Sequence, residues 1–227
     1  MRMKSFLPVF FGLAFAALPA LADQYSFTLD HCSGGCGTAP FGTVDVTQDG
    51  TNTVKLVVNL TSGDKFVSTG FPGSFAFNIA GNPTIGISNL TAGWSLLNTT
   101  AGNLQFDGFG NLDYALTCDT CGNGGSNPFA GPISFDITAT GLTPTSFAEL
   151  SRIPPGSERA YFVADILGAN GKTGPVGATL SQTAVPEPGT VSLLASGALL
   201  LLFVGLRRKR NAAVEQAHIP KLSLPTV

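Results

Sequence analysis

The sequence predicts an all-β domain, an antiparallel β-sandwich of jelly-roll type, flanked by two apolar terminal segments. Three observations carry that prediction. Short runs alternating apolar and polar residues recur between residues 23 and 184, and a period of two is the signature of a half-buried strand. Glycine (28) and proline (15) are frequent enough to punctuate those runs with turns. No long amphipathic helical pattern and no repeat of fixed period is present, which disfavours helical bundles and solenoids.

The chain opens on Met1-Arg2-Met3-Lys4, an apolar run from Phe6 to Leu18, Pro19, and then Ala20-Leu21-Ala22. A basic start, an apolar stretch and small residues two apart form the order of a secretory signal peptide. Residues 1–22 are expected to be this signal, recognised at Ala20 and Ala22 by signal peptidase and cut before Asp23. The apolar run is short for a membrane span.

Residues 23–184 are expected to form the outer domain. Tyr25–Leu29, Val54–Leu60, Phe75–Ile79, Asn103–Asp107, Ile133–Ile137 and Ala160–Ile166 are the strand candidates. Thr69-Gly70-Phe71-Pro72-Gly73 and Gly122–Pro128 separate them as loops. Pro144–Arg152 reads as a strand or a single turn. About 160 residues suffice for a proper core at this size, and the 17 phenylalanines are the natural filling between facing sheets.

The four cysteines fall in two close pairs, Cys32 with Cys36 and Cys118 with Cys121. In an exported domain an even count reads first as two disulfides. Three connectivities are open. Pairing within each close pair is favoured, because each pair sits at a strand end in a glycine-rich turn. A four-cysteine zinc site and a redox Cys118-x-x-Cys121 are the sharper alternatives. The long gap between the pairs argues against zinc, and Gly122-Asn123 after the second pair argues against a thioredoxin-like helix.

Other chemistry is sparse. From Asp23 to Ala184 there are twelve acidic and five basic residues, a net −7. Nucleic acid is therefore excluded as a partner, since its phosphates need lysine and arginine. No Gly-x-Ser-x-Gly elbow and no phosphate-cradling loop occurs. His31 is the outer domain's one histidine, and it reads as an ordinary surface residue. Asp107, Asn111 and Asp113 are spaced as oxygen ligands for calcium, but turn hydrogen bonding is the plainer reading. No catalytic residue, metal or cofactor is expected. A carbohydrate-binding module is the alternative function, with Trp94, Tyr25, Tyr114 and Tyr161 as its aromatic groups. A glycan hydrolase built on two carboxylates ranks below it.

At the other end, Val185-Pro186-Glu187-Pro188-Gly189 precedes an uncharged stretch and then Arg207-Arg208-Lys209-Arg210. Residues 189–206 are just long enough for one transmembrane helix at 1.5 Å per residue across roughly 30 Å of hydrocarbon. The basic cluster is the membrane stop, keeping residues 211–227 as a cytoplasmic tail and the preceding domain outside. The two prolines hold their segment extended, in a form a processing enzyme can grip.

This order of Pro186-Glu187-Pro188, apolar helix and basic stop, over residues 185–210, resembles the PEP-CTERM sorting domain, also catalogued as the ice-binding protein C-terminal domain. The resemblance implies that Pro186, Glu187 and Pro188 are recognised by an exosortase, a membrane enzyme with a cysteine nucleophile. It also implies a Gram-negative host that makes exopolysaccharide or biofilm matrix. The protein would be anchored in the inner membrane with its domain outside, then pass to the cell surface or extracellular matrix. Its partners would be signal peptidase, the exosortase-like enzyme, membrane lipid and extracellular polysaccharide. Family members usually end soon after the basic cluster, whereas here 17 residues follow it. The stretch from Asp107 through Cys118-x-x-Cys121-Gly122, with Tyr161–Asp165 and Asn170–Gly174, is similar to the outer domains of PEP-CTERM proteins of unknown function.

Overall fold

Residues 22–122, 124–152, 158–181 and 196–201 are described by the computed structural model. Thirteen strands are present among them. The first three are β1 (Ala22–Asp30), β2 (Gly42–Gly50) and β3 (Thr53–Leu60). Short strands follow: β4 (Lys65–Phe66), β5 (Phe75–Phe77), β6 (Gly86–Ser88), β7 (Trp94–Leu96), β8 (Leu104–Phe106) and β9 (Gly110–Leu112). The last four are β10 (Tyr114–Cys118), β11 (Ile133–Thr138), β12 (Phe162–Leu167) and β13 (Thr173–Leu180). Pro144–Phe147 is a 3-10 turn, which resolves the strand-or-turn ambiguity there.

All strand pairs are antiparallel, and eleven strands share one sheet. Its order is β6-β11-β3-β2-β1-β13-β12-β5-β10-β7, with β4 also paired to β12. The all-β antiparallel expectation therefore holds. The architecture is a single sheet that curls on itself. Phe135 of β11 lies 6.1 Å from Phe75 and 6.2 Å from Phe77 of β5, ring centre to ring centre, although five strands lie between β11 and β5 in the sheet. Curling brings the two end strands, β6 and β7, together in space as well as in sequence. The amide of Ile85, just before β6, bonds Thr99 O, just after β7, at 2.8 Å. The sheet is thus nearly closed, and the exposed edges that remain are three residues long, short enough to resist pairing with other chains.

Alternation decides which side chains fill the curl. Tyr25 and Phe27, Val44 and Val46, Val54, Leu56 and Val58, and Ile133, Phe135 and Ile137 point inwards from one half. Phe75, Phe77, Tyr114, Leu116, Phe162, Ala164 and Ile166 meet them from the other. Each such aromatic or aliphatic side chain contributes about 1.5–3 kcal/mol on burial. A second, smaller cluster lies on the outer side of β5, β10 and β12. There the β8–β9 hairpin lays Phe106, Phe109 and Leu112 over Ala76, Ala115, Ala160 and Val163. Gly177 of β13 makes room for the Phe109 ring, which occupies the place a Cβ would take.

The strands lie in one unit, Ala20–Thr183. β1 begins at Ala22, which pairs with Thr47, and Asp23 pairs with Val46. Cleavage before Asp23 would shorten that strand by one residue. Ala20 and the rest of residues 1–21 lie outside the described residues, as do Pro186, Glu187, Pro188, Arg207, Arg208, Lys209 and Arg210. Within the expected span 189–206, residues 196–201 are described, and they are helical and exposed. Among the described residues no helix is long and apolar enough to cross a membrane.

Candidate functional site: the disulfide pole and the buried carboxylates

The cysteines form two disulfides within their close pairs, Cys32–Cys36 and Cys118–Cys121, with Cα separations of 5.4 and 5.3 Å. No cysteine is free. Both bridges close loops at the same end of the sheet and flank the β12–β13 turn. Asn170 Nδ2 donates to Gly35 O at 3.0 Å, and Gly168 packs against the Cys36 carbonyl. From the other side, Gly125 packs against Thr173 and Leu167.

Asp30, at the end of β1, organises the first loop. Its Oδ1 accepts the amide of Cys32 and its Oδ2 the amide of Cys36, each at 2.9 Å. A carboxylate bonding the amide two residues on is the ordinary turn chemistry of aspartate, here extended to both half-cystines. Asp30, Cys32 and Cys36 bring one oxygen and two sulfurs within 4.8 Å. The two sulfurs are bonded to each other, so neither is available as the thiolate a metal would need.

Four aspartates of the unit are buried: Asp64, Asp113, Asp136 and Asp165. Each is held by a donor of its own chain, as a buried carboxylate must be. Asp113 receives both terminal nitrogens of Arg152, Nη1 at 2.8 Å and Nη2 closer still. Asp136 accepts the side-chain amide of Asn89. Asp64 accepts the amide of Ala169 at 2.9 Å, and burial pushes its carboxyl above the ordinary range. Asp165 is fully buried and, among the described residues, Thr69 is the one whose side chain holds its carboxylate. Burial raises its carboxyl to about 6, against the pull of the Thr69 hydrogen bonds.

The other candidates have structural duties. Asn111 pairs by backbone with Arg152, and Asp113 is the partner of the Arg152 guanidinium, so the spacing that suggests calcium serves to fasten the 151–152 segment to β9 and β10. His31 packs edge-on against Phe109, with ring centres 4.7 Å apart, and its Nε2 lies 3.2 Å from Glu158 Oε2. It braces the end of β1 against the β8–β9 turn. Of the aromatic groups proposed for sugar binding, Trp94, Tyr25 and Tyr114 are core residues. Tyr161 is half-buried against Tyr25. Burial pushes the Tyr25 phenol up, and pushes Tyr114 up to about 12 with help from Asp113 and Glu149.

Neither family models, curated proteins nor solved structures provide a match to this chain. Asp30, Asp64, Asp165 and Arg152 were not singled out by the sequence. Asp30 alone carried a local signal, an aspartate two residues before a half-cystine. The partners of the others lie 39 to 105 residues away, beyond the reach of any spacing rule.

Proposed function

We propose that this chain is an exported, membrane-tethered cell-envelope or extracellular-matrix protein without catalytic activity of its own, sorted through its Pro186-Glu187-Pro188 segment by an exosortase-like enzyme. The observation that carries this reading is the cysteine chemistry of the folded unit. Disulfides persist in oxidising, extracytoplasmic compartments and are rare in the cytosol, and here every cysteine is in one. That agrees with a signal peptide over residues 1–22 and a membrane segment over residues 189–206 that leaves the unit outside. The finer fold belongs to the same reading: the two halves of the curled sheet, facing through Phe75, Phe77 and Phe135, act as the two layers of a jelly-roll sandwich.

Burial of Trp94, Tyr25 and Tyr114 removes the exposed aromatic platform on which the carbohydrate-binding alternative leaned. The hydrolase alternative needs two carboxylates facing one cleft, whereas the buried ones are each engaged by their own chain.

The test is cell fractionation with intact-mass analysis in the native host, comparing the natural protein with one carrying alanines at Pro186, Glu187 and Pro188. The natural protein is expected to appear as a form lacking its C-terminal apolar and basic segments, and the variant to retain Val227 in the membrane. Retention of Val227 in both would make the segment a permanent anchor and remove the sorting role.

A further inference from the structure

The segment Ser68–Gly73 is a strap. β4 and β5 both pair with the same edge of β12, at Ile166–Leu167 and Phe162–Ala164 respectively, and the chain loops out between them opposite Asp165. The Asp165 backbone closes the neck of the loop. Its carbonyl accepts Val67 N at 3.0 Å, and its amide donates to Ser74 O at 3.0 Å. Its side chain reaches into the loop, where Thr69 N and Thr69 Oγ1 donate to the carboxylate at 2.6 and 2.7 Å. From the same strap, Phe71 stacks on Phe106 with ring centres 5.5 Å apart, closing over the outer cluster.

What Asp165 lacks is a cation. Two ion pairs are formed among the described residues, and neither includes it. The ionisable residues of the surrounding elements are Asp64 and Lys65 at β4, Asp107 in the β8–β9 turn, and Lys172 in the β12–β13 turn. None of them bonds the Asp165 carboxylate. Its register partner on β13 is Pro175, which has no polar side chain. A fully buried carboxylate without a counter-charge is costly, and its usual remedy is to take up a proton.

We propose that Asp165 and the Ser68–Gly73 strap form a proton-linked clasp, in which the neutral carboxyl is the form best accommodated by the fold and the charged form is held by Thr69. The direction of the linkage follows. Asp165 has its folded value raised from 3.8 to about 6 by burial, so between those values the folded state binds more protons than the unfolded chain. Stability then rises as pH falls through that window, and is lost as pH rises through about 6. This is the reverse of the usual acid destabilisation by paired carboxylates.

The experiment is a carbon-13 NMR titration of the aspartate carboxyls in the purified exported protein, with thermal unfolding followed over the same pH range. Asp165→Asn identifies the resonance, and Thr69→Val removes one donor to the charged form. The Asp165 resonance is expected to titrate near 6, and to move higher in Thr69→Val. The gain in Tm on acidification through that window is expected to shrink in Asp165→Asn. Titration in the ordinary carboxylate range, or a midpoint unmoved by Thr69→Val, would overturn the clasp. So would an undiminished Tm slope in Asp165→Asn. Should Asp165→Asn fail to fold, the remaining aspartate resonances and the Thr69→Val shift still decide the matter.

Discussion

Arg152 and Asp113 illustrate how a single residue can fix distant parts of this chain. Asp113 is almost wholly buried, while Arg152 keeps its outer part in solvent. Removing the arginine leaves a buried charge with no counter-ion, the situation in which breaking an ion pair is most damaging. Arg152→Ala is expected to destabilise the protein by about 2–4 kcal/mol, read from urea unfolding. Adding Asp113→Asn to that variant should restore part of the loss, because the orphaned charge goes with it. Little of this was legible in the sequence. Asp113 stood out as a ligand for calcium because its neighbours Asp107 and Asn111 share its type, and the arginine that claims it is 39 positions away. The cysteines were legible because each close pair sits at a strand end in a glycine-rich turn, which favours pairing within the turn.

Among elements, legibility followed side-chain alternation. Tyr25–Leu29, Val54–Leu60, Phe75–Ile79, Asn103–Asp107, Ile133–Ile137 and Ala160–Ile166 each contain or overlap an observed strand. β13 was missed because Gly174, Pro175 and Gly177 break the pattern by which a strand is recognised. Yet it is central, paired on both edges with β1 and β12. Its glycine is there for packing: the Phe109 ring fills the site of the absent side chain. Gly177→Ala should push the β8–β9 hairpin off the outer cluster at a cost of about 1–3 kcal/mol, the range for overpacking. The expected signature is faster amide exchange and proteolysis within residues 104–112, with the inner core unaffected. An unaltered hairpin would mean that Phe109 has room to move.

At the scale of the whole molecule, the antiparallel β class was readable, but the continuity of the sheet was not. Alternation tells which residues face inwards, not whether the layers they join are separate sheets or one that bends. The bend depends on contacts such as Phe135 with Phe77, between strands far apart in the sheet. The disulfides offer a global check on the compartment. Alkylation of the unfolded, unreduced protein from its host should add no label, and reduction should expose all four thiols. Labelling without reduction would place the chain in a reducing environment and count against export.

β13 runs from the turn beside both disulfide loops to Ser181, where the folded unit hands over to the rest of the chain, and it is gripped on either side by a neighbour running the opposite way. Traction applied between that turn and Ser181 is directed along the strand. The ladder bonds to β1 and β12 then carry the pull together in shear, instead of parting one at a time as in a zipper. A unit strung in this manner resists such a pull with many ladder bonds at once, so the placement of its last strand makes the chain's exit from the folded unit a firm one.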